Sequence, residues 1–317
     1  MEAALGQRVV RGPDWEWGDQ DGGEGFVGTV AGLEEGGGGV IVQWDMGQRC
    51  RYRCGRDNKF DLRVLDDGPS GRSYSKHRCH VCRKKRVYGV MWRCLHCPEY
   101  YLCSVCYLAN HHCSLHRFTC LLDRDGMQFR VLARADSRRI PVSGLFYGAE
   151  VVRGTDWRWN DQDGGVGRTG KVVEVLDWSN EGGSGYERSV VLVTWENGNK
   201  KKYRAGHRGK VDVRCIAPGS GGFYYPEHLP VLCQAVKPPS SGDIVTGDRI
   251  KCEVNLAELD DPEMAEKIGL MLDHVGTVNV LLENGELLVR YPGNSLVQVN
   301  PAAAKKLEGG IHHHSVY

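Results

Sequence analysis

The residues best suited to chemistry are three Cys-x2-Cys pairs, Cys79/Cys82, Cys94/Cys97 and Cys103/Cys106, followed by His112-x3-His116. A Cys-x2-Cys turn lets two thiolates reach the same tetrahedral ion, and zinc is the usual occupant of such sulfur and imidazole sets. His-x3-His on a helical turn would put both rings on one face. Eight ligands make two closed four-ligand sites, which are structural because no position is left for water or substrate. A segment this small would depend on its two Zn2+ ions to fold. His111 and Cys113 flank His112 and compete with it for one ligand position; helical spacing favours His112.

The chain has 13 cysteines. An odd total, nearby histidines and no apolar signal segment between Met1 and Gly12 favour metal over a secreted disulfide framework. The remaining Cys50, Cys54, Cys113, Cys120, Cys215, Cys233 and Cys252 read as ordinary buried or surface thiols. A cytosolic or nuclear compartment follows from that reading. His312-His313-His314 read as incidental.

The elements that must hold these ligands are short strands. The 317 residues suit several small domains, and 42 glycines punctuate Val-, Tyr- and Trp-bearing runs. With 41 Lys+Arg against 40 Asp+Glu, the chain lacks the basic excess of a dedicated nucleic-acid binder. No apolar run is long enough for a membrane-inserted helix.

An internal repeat organises the rest. RVVRGPDWEWGDQDGGEGFVGTV at residues 8–30 returns as EVVRGTDWRWNDQDGGVGRTGKV at residues 150–172, with about two thirds of positions identical. Later matches are VIVQWDMG with VLVTWENG and Asp61-Leu62-Arg63 with Asp212-Val213-Arg214. Each copy predicts five short strands: one at Val9-Val10 or Val151-Val152, one after Gly28 or Gly170, one ending at Trp44 or Trp195, one through Tyr52 or Tyr203, and one at Leu62–Val64 or Val211–Val213. That is the outline of a small SH3-like barrel. The expected fold is therefore mostly β, with two or three such barrels around a cross-brace zinc finger. Residues 219–242, with their Gly, Ser and Pro clusters, read as a linker. A third, divergent unit follows at 243–308, carrying an Asn284-Gly285 turn, and 309–317 read as a disordered tail.

Trp15 and Trp17, like Trp157 and Trp159, alternate and so point to one face of an extended segment. Exposed, each pair could clamp a peptide side chain; otherwise one tryptophan of each pair belongs to the core. Asp21 and Asp163 could meet basic residues of a partner or cap their own loop, with Arg11 and Arg153 as available ion-pair partners. Gly23-x-Gly25-x-x-Gly28 and Gly165-x-Gly167-x-x-Gly170 match a dinucleotide fingerprint, but no helix follows either. Asp19-x-Asp21-Gly22 starts like a calcium loop, yet Val30 holds the position that needs a bidentate Glu.

The cysteine and histidine pattern resembles a ZZ-type zinc finger. That resemblance implies that Cys79, Cys82, Cys103 and Cys106 hold one ion and Cys94, Cys97, His112 and His116 the other. ZZ fingers often bind a partner's amino terminus through acids before the third Cys pair; here Glu99 is present and Tyr101 replaces the second acid. The Val-Val-Arg-Gly-x-Asp-Trp-x-Trp-x-x-Gln-Asp-Gly-Gly motif resembles the Mib/Herc domain. The order Mib/Herc (1–68), ZZ finger (74–125), Mib/Herc (140–218) is similar to the amino-terminal half of the mind bomb E3 ubiquitin ligases, nearest to mind bomb 2, as are Gly221-Gly222-Phe223-Tyr224-Tyr225 and His228-Leu229-Pro230. This implies recognition of the cytoplasmic tails of Notch ligands of the Delta and Jagged type, by the paired domains and by the repeat unit after them. It also implies a cytoplasmic protein recruited to endocytic membranes through partners. In that family E2 and ubiquitin are engaged by RING fingers, for which this chain has too few remaining cysteines; no ankyrin period is present either. The alternative is an amino-terminus or histone-tail reader acting through the finger.

Overall fold

The computed structural model describes residues 1–317 except 75–76, 123–127, 179–184, 235–248, 253–273, 282–286, 294–295, 300–303 and 308–317. The chain divides into two compact units, Met1–Pro238 and Pro239–Tyr317. It is mostly β, and no helix among the described residues is long and apolar enough to cross a membrane.

The first repeat forms β1 (Arg8–Arg11), β2 (Gly28–Leu33), β3 (Gly38–Trp44), β4 (Arg49–Cys54) and β5 (Leu62–Asp66), in the order β4-β3-β2-β1-β5. Alternation along β3 sends Val40, Val42 and Trp44 inward, where all three are buried. Gly28 is required by that packing: a Cβ there would lie 2.4 Å from Val42 Cγ1 and 2.7 Å from Trp44 Cε3. Next, the finger contributes β6 (Ser73–Tyr74), β7 (Val87–Tyr88), β8 (Met91–Cys94), β9 (Tyr101–Cys103), α1 (Ser104–Leu108), β10 (Phe118–Leu121) and β11 (Gln128–Val131). Four of these pair in the order β11-β10-β8-β9.

An antiparallel pair of β12 (Ile140–Gly144) and β18 (Gly219–Tyr224) frames the second repeat. That repeat is β13 (Glu150–Arg153), β14 (Gly170–Trp178), β15 (Tyr186–Trp195), β16 (Lys200–Arg204) and β17 (Val213–Ala217), again ordered β16-β15-β14-β13-β17. Gly170 repeats the role of Gly28, with Val193 Cγ1 at 2.6 Å and Trp195 Cε3 at 2.7 Å from a built Cβ.

Residues 219–234 depart from the expected linker. Besides pairing as β18, they bury Tyr224, Tyr225, His228, Leu229 and Leu232, because a Gly/Pro-rich composition also suits a bulged strand and a turn. Cys54 and Cys233 also depart from the ordinary-thiol reading: they are disulfide-bonded across 179 residues of sequence. Local spacing carries no sign of a partner that distant. The rest of the expected linker, 235–242, lies outside the described residues.

The second unit has β19 (Arg249–Cys252), β20 (Gly276–Leu281), β21 (Leu287–Arg290), β22 (Leu296–Val299) and β23 (Ala304–Lys306), ordered β22-β21-β20-β19-β23. This is the order of both repeats. Its register shift falls at Val278/Val280, two residues after Gly276, as the others fall at Val30/Gly32 and Val172/Glu174. A Cβ on Gly276 would meet Val289 Cγ1 at 2.4 Å and Tyr291 Cε1 at 2.9 Å, so Tyr291 stands where the repeats have tryptophan. The Asn284-Gly285 turn, the His312–His314 run and the 309–317 tail lie outside the described residues.

Candidate functional site

In the finger, the ligand atoms of Cys79, Cys82, Cys103 and Cys106 lie within 4.8 Å of one another, and so do those of Cys94, Cys97, His112 and His116. The first and third Cys pairs thus interleave with the second pair and the histidines. Zn–S bonds of about 2.3 Å and Zn–N bonds of about 2.0–2.1 Å give tetrahedral edges of roughly 3.8 Å (S···S), 3.6 Å (S···N) and 3.3 Å (N···N). Cys82 and Cys103 sulfurs are 3.8 Å apart. Cys94 and Cys97 sulfurs lie 3.4–3.6 Å from His112 Nε2 and His116 Nδ1, and those nitrogens are 3.0 Å apart. Both sets therefore fit zinc.

Local structure explains how each ligand arrives. β8 ends on Cys94, whose sulfur accepts N–H bonds from His96 at 3.4 Å and Cys97 at 3.3 Å. β9 delivers Cys103, and α1 turns Cys106 back beside it. A hydrogen bond from Cys103, followed by backbone N–H groups, lowers the pKa of the Cys79 thiol, the direction that suits a thiolate ligand. Burial lowers the pKa of His112, which favours the neutral ring that a metal needs.

It is His112, rather than His111 or Cys113, whose ring nitrogen lies with Cys94, Cys97 and His116, but helical spacing is not what puts it there. Residues 111–116 form turns and bends rather than a helix, and His112 has φ +81°. His112 offers Nε2 while His116 offers Nδ1, an asymmetry a regular helix would not need. His111 and Cys113 are exposed. What fixes this loop is Arg134, a residue with no motif to flag it. Its guanidinium donates to Tyr107 O (2.8 Å), His111 O (3.1 Å), His112 O (3.1 Å) and Cys113 O (3.2 Å). It sits over the Tyr107 and Phe118 rings. His228, noted in the sequence only as part of a resemblance, is buried between Tyr107 Oη (2.7 Å) and Ser137 Oγ (2.8 Å) and ties residues 225–229 to the finger.

Glu99 is exposed on a left-handed turn. Tyr101, at the position of the second acid, is buried with its ring 3.8 Å from His77. Tyr100 stacks on His112 at 4.3 Å. Amine recognition would therefore rest on one carboxylate.

Both tryptophans of each repeat are half-buried, in place of one in the core and one partly exposed. Trp15 stacks on Tyr52 and Trp157 on Tyr203, at 5.2 and 5.1 Å. Trp17 and Trp159 donate to Asp61 and Asp212 at 3.0 and 2.9 Å. Trp15 and Trp157 donate to Gly18 O and Asn160 O. Their polar atoms are thus engaged within each repeat. Asp21 and Asp163 are fully buried; each binds Arg11 or Arg153 and accepts the N–H of Gly23 or Gly165. Of the two roles open for these acids, loop capping is what the geometry serves.

A groove that no motif foretold runs under α1 between the repeats. A cavity of 360 Å³ is lined by Leu65, Val105, Leu108, Val142, Leu145 and Phe146 among others, with the Arg188–Asp66 ion pair at its wall. A second hollow of 280 Å³ reaches Cys82, Lys84 and Glu187, and shares Ser104, Val105, Val175 and Arg188 with the first. Val105 is 50% exposed and Phe223 43%, so apolar surface faces solvent at the mouth.

Comparison with known proteins matches residues 6–66 and 148–217 to the Mib_herc2 domain and residues 74–118 to the ZZ-type zinc finger. The chain is 39% identical over 323 aligned residues to the E3 ubiquitin-protein ligase MIB2 of Gallus gallus, covering 96% of this chain and 33% of the relative. It is 37% identical over 308 residues to the E3 ubiquitin-protein ligase mind-bomb of Drosophila melanogaster, covering 96% and 25%. A 62-residue stretch is 45% identical to mouse E3 ubiquitin-protein ligase HERC2, covering 20% of this chain and 1% of that one. The chain thus spans a third or less of the first two relatives' length.

Proposed function

Because this chain carries two Mib_herc2 domains around a ZZ-type zinc finger and is related along 96% of its length to MIB2 and mind-bomb, we propose that it is the substrate-recognition part of such a ubiquitin ligase. Its partners on this reading are cytoplasmic tails of Delta- and Jagged-type Notch ligands, which places it in the cytoplasm and, through those tails, at endocytic membranes. Ubiquitin transfer belongs to the whole ligase, with E2 and ubiquitin engaged outside these residues. The closed zinc centres act as scaffold: they hold α1 over the groove and do no chemistry on substrate.

The observation that carries this reading is the groove. It is apolar, open at its mouth, and bordered by β18, which among the described residues pairs only with β12. An extended peptide segment with apolar anchors suits such a site, since side chains fill pockets while an exposed strand offers main-chain bonds. The tryptophan pairs and Asp21/Asp163 do not line this groove and are engaged within their own repeats.

The test is calorimetric titration of the zinc-loaded chain with peptides tiled along a Delta- or Jagged-type tail. One or two tiles should bind saturably at micromolar affinity or better, and Val105→Glu or Val175→Lys should abolish that signal with two zinc ions retained. Silence from every tile, with metal and folding verified, rejects the Notch-ligand assignment. Binding that survives both groove variants and disappears in Glu99→Ala would move recognition to the finger as an amino-terminus reader.

A further inference from the structure

The segment that closes the first unit carries chemistry that neither the zinc centres nor the groove use. Residues 229–234 run along β5: Leu232 N–H donates to Leu62 O and Val64 N–H to Pro230 O, both at 2.9 Å. Cys233 N–H donates to Met1 O at 2.7 Å, and the Met1 ammonium donates to Gln234 O at 3.1 Å. Four backbone bonds therefore set Cys233 beside Cys54, at the end of β4, and the two sulfurs are bonded. The second repeat has Ala205 at the matching position, so the device belongs to the first repeat alone.

Six other thiols of the same chain must stay reduced to hold zinc. Surroundings that oxidised thiols indiscriminately would empty both metal centres, so a disulfide here requires selectivity. The fold supplies it. Cys54 and Cys233 are free of metal and held in contact, which gives their closure a high effective concentration. Cys50, Cys113, Cys120 and Cys215 have no disulfide partner among the described residues.

We propose that Cys54 and Cys233 are a reversible redox site whose oxidant is a small-molecule disulfide of the glutathione class, and that oxidation latches residues 229–234 onto the first repeat while both zinc centres remain loaded. Cys233 is half-buried and Cys54 is 6% exposed, which orders the steps. The Cys233 thiolate attacks one sulfur of oxidised glutathione; that S–S bond breaks and one glutathione thiolate leaves. The Cys54 thiolate then attacks the Cys233 sulfur of the mixed disulfide and expels the second glutathione. The protein pair loses two electrons, oxidised glutathione gains them, and the two thiol protons end on the two released glutathiones. The latch encloses the finger and the second repeat in one covalent loop, which restricts the unfolded chain. It also pins the segment that continues from β18, a border of the groove.

The experiment equilibrates the full zinc-loaded chain across ratios of reduced to oxidised glutathione, alkylates remaining thiols, and maps cross-linked peptides alongside zinc content. The proposal expects a Cys54–Cys233 cross-link at ratios where two zinc ions per chain remain, with a melting midpoint raised by on the order of 5 °C or more. Cys233→Ser and Cys54→Ser should each keep both zinc ions, lose the cross-link and lose the redox-dependent shift. Proteolysis within 229–234 should be slower in the oxidised chain than in the reduced one. Zinc loss before any cross-link forms, or a Cys50–Cys233 cross-link in its place, overturns the proposal, as does a midpoint and proteolysis rate that do not change with oxidation.

Discussion

The two repeats share a motif and a strand order and pack against each other through the Arg188–Asp66 pair and Cys215 N–H to Asp45 O, yet the Gly-rich loop and the turn after the core tryptophan are docked in the first and open in the second, and a few residues account for the difference. Residues identical between them build each sheet: Gly28 and Gly170, Trp44 and Trp195, Tyr52 and Tyr203, Asp61 and Asp212. The residues that differ face neighbours. Asp45 of the first repeat is fully buried, bonded to Arg8 at 2.6 and 2.8 Å, and accepts the N–H of Leu145 at 2.7 Å. Its counterpart Glu196 is exposed and pairs with Thr169 and Arg168. Arg8 itself corresponds to Glu150. The Gly-rich loop diverges in the same way: Val27 and Ser143 exchange backbone bonds with the loop and β12, through Val27 N–H to Ser143 O and Ser143 N–H to Gly25 O. In the second repeat Val166 of that loop is 89% exposed. The repeated motif thus encodes the sheet, and its departures encode assembly.

The largest effect should separate the repeats at Asp45. Asp45→Ala leaves Arg8 buried without its carboxylate and should cost about 3–5 kcal/mol. Glu196→Ala removes an exposed pair and should stay within about 0.5 kcal/mol. Denaturant unfolding of the zinc-loaded chain reads both, and equal losses would refute the docked-versus-open distinction. Next in size is the loop. Gly25 and Gly167 have φ +92° and +85°, so an alanine at either position should cost about 1 kcal/mol in backbone strain. A Cβ on Gly25 would also lie 2.1 Å from Pro141 O, whereas nothing lies within 4 Å of one on Gly167. Gly25→Ala should therefore cost roughly 1–3 kcal/mol more than Gly167→Ala, measured by the same unfolding curves.

Sequence made the sheets and the metal ligands legible because both depend on short-range patterns. Cys-x2-Cys spacing is a local constraint, and strand alternation around Trp44 and Trp195 is a period of two. The third unit was legible from Gly276 and its neighbouring strands for the same reason. Contacts between distant segments were not. Arg134 binds the carbonyls of a loop more than twenty residues earlier, Cys54 finds Cys233, and His228 reaches Tyr107, none through a spacing that a single sequence displays. The groove escaped notice because its walls come from both repeats, α1 and the β12–β18 pair together. The tryptophan pairs were legible only in part: an alternating aromatic motif says that two rings share a face, but not that Tyr52 or Tyr203 packs against it.

A smaller difference between the repeats should appear in acid. His207 corresponds to Arg56, which is exposed and paired with Glu34. His207 is buried against Trp178 and Tyr186, and that burial, with Arg208 and Arg204 nearby, pushes its pKa down to about 4. Between about pH 6.5 and 4 the unfolded chain binds a proton that the folded chain refuses. The stability from the neutral ring is therefore fully present above about pH 6.5 and is lost as pH falls toward 4. With allowance for solvent screening the loss is on the order of 1–2 kcal/mol. His207→Asn should flatten that part of the stability profile, read as its difference from the parent chain at each pH so that zinc release cancels. Identical profiles would place the acid sensitivity elsewhere.

The smallest expected effect concerns the exposed acids Asp19 and Asp161, which pair with Arg11 and Arg153 at 2.8 and 2.7 Å. Each arginine also holds a buried aspartate, so the exposed partner adds little. Asp19→Asn and Asp161→Asn should each change stability by no more than about 0.5 kcal/mol, and by the same amount in both repeats. Their value lies in separating two roles for the motif. If these loops are only structural, peptide affinity in the tail titration should be unchanged by either substitution. A loss of affinity in Asp161→Asn alone, with stability intact, would mean that the open loop of the second repeat meets the partner directly while the docked loop of the first cannot, and the binding surface would then have to extend from the groove to the motif itself.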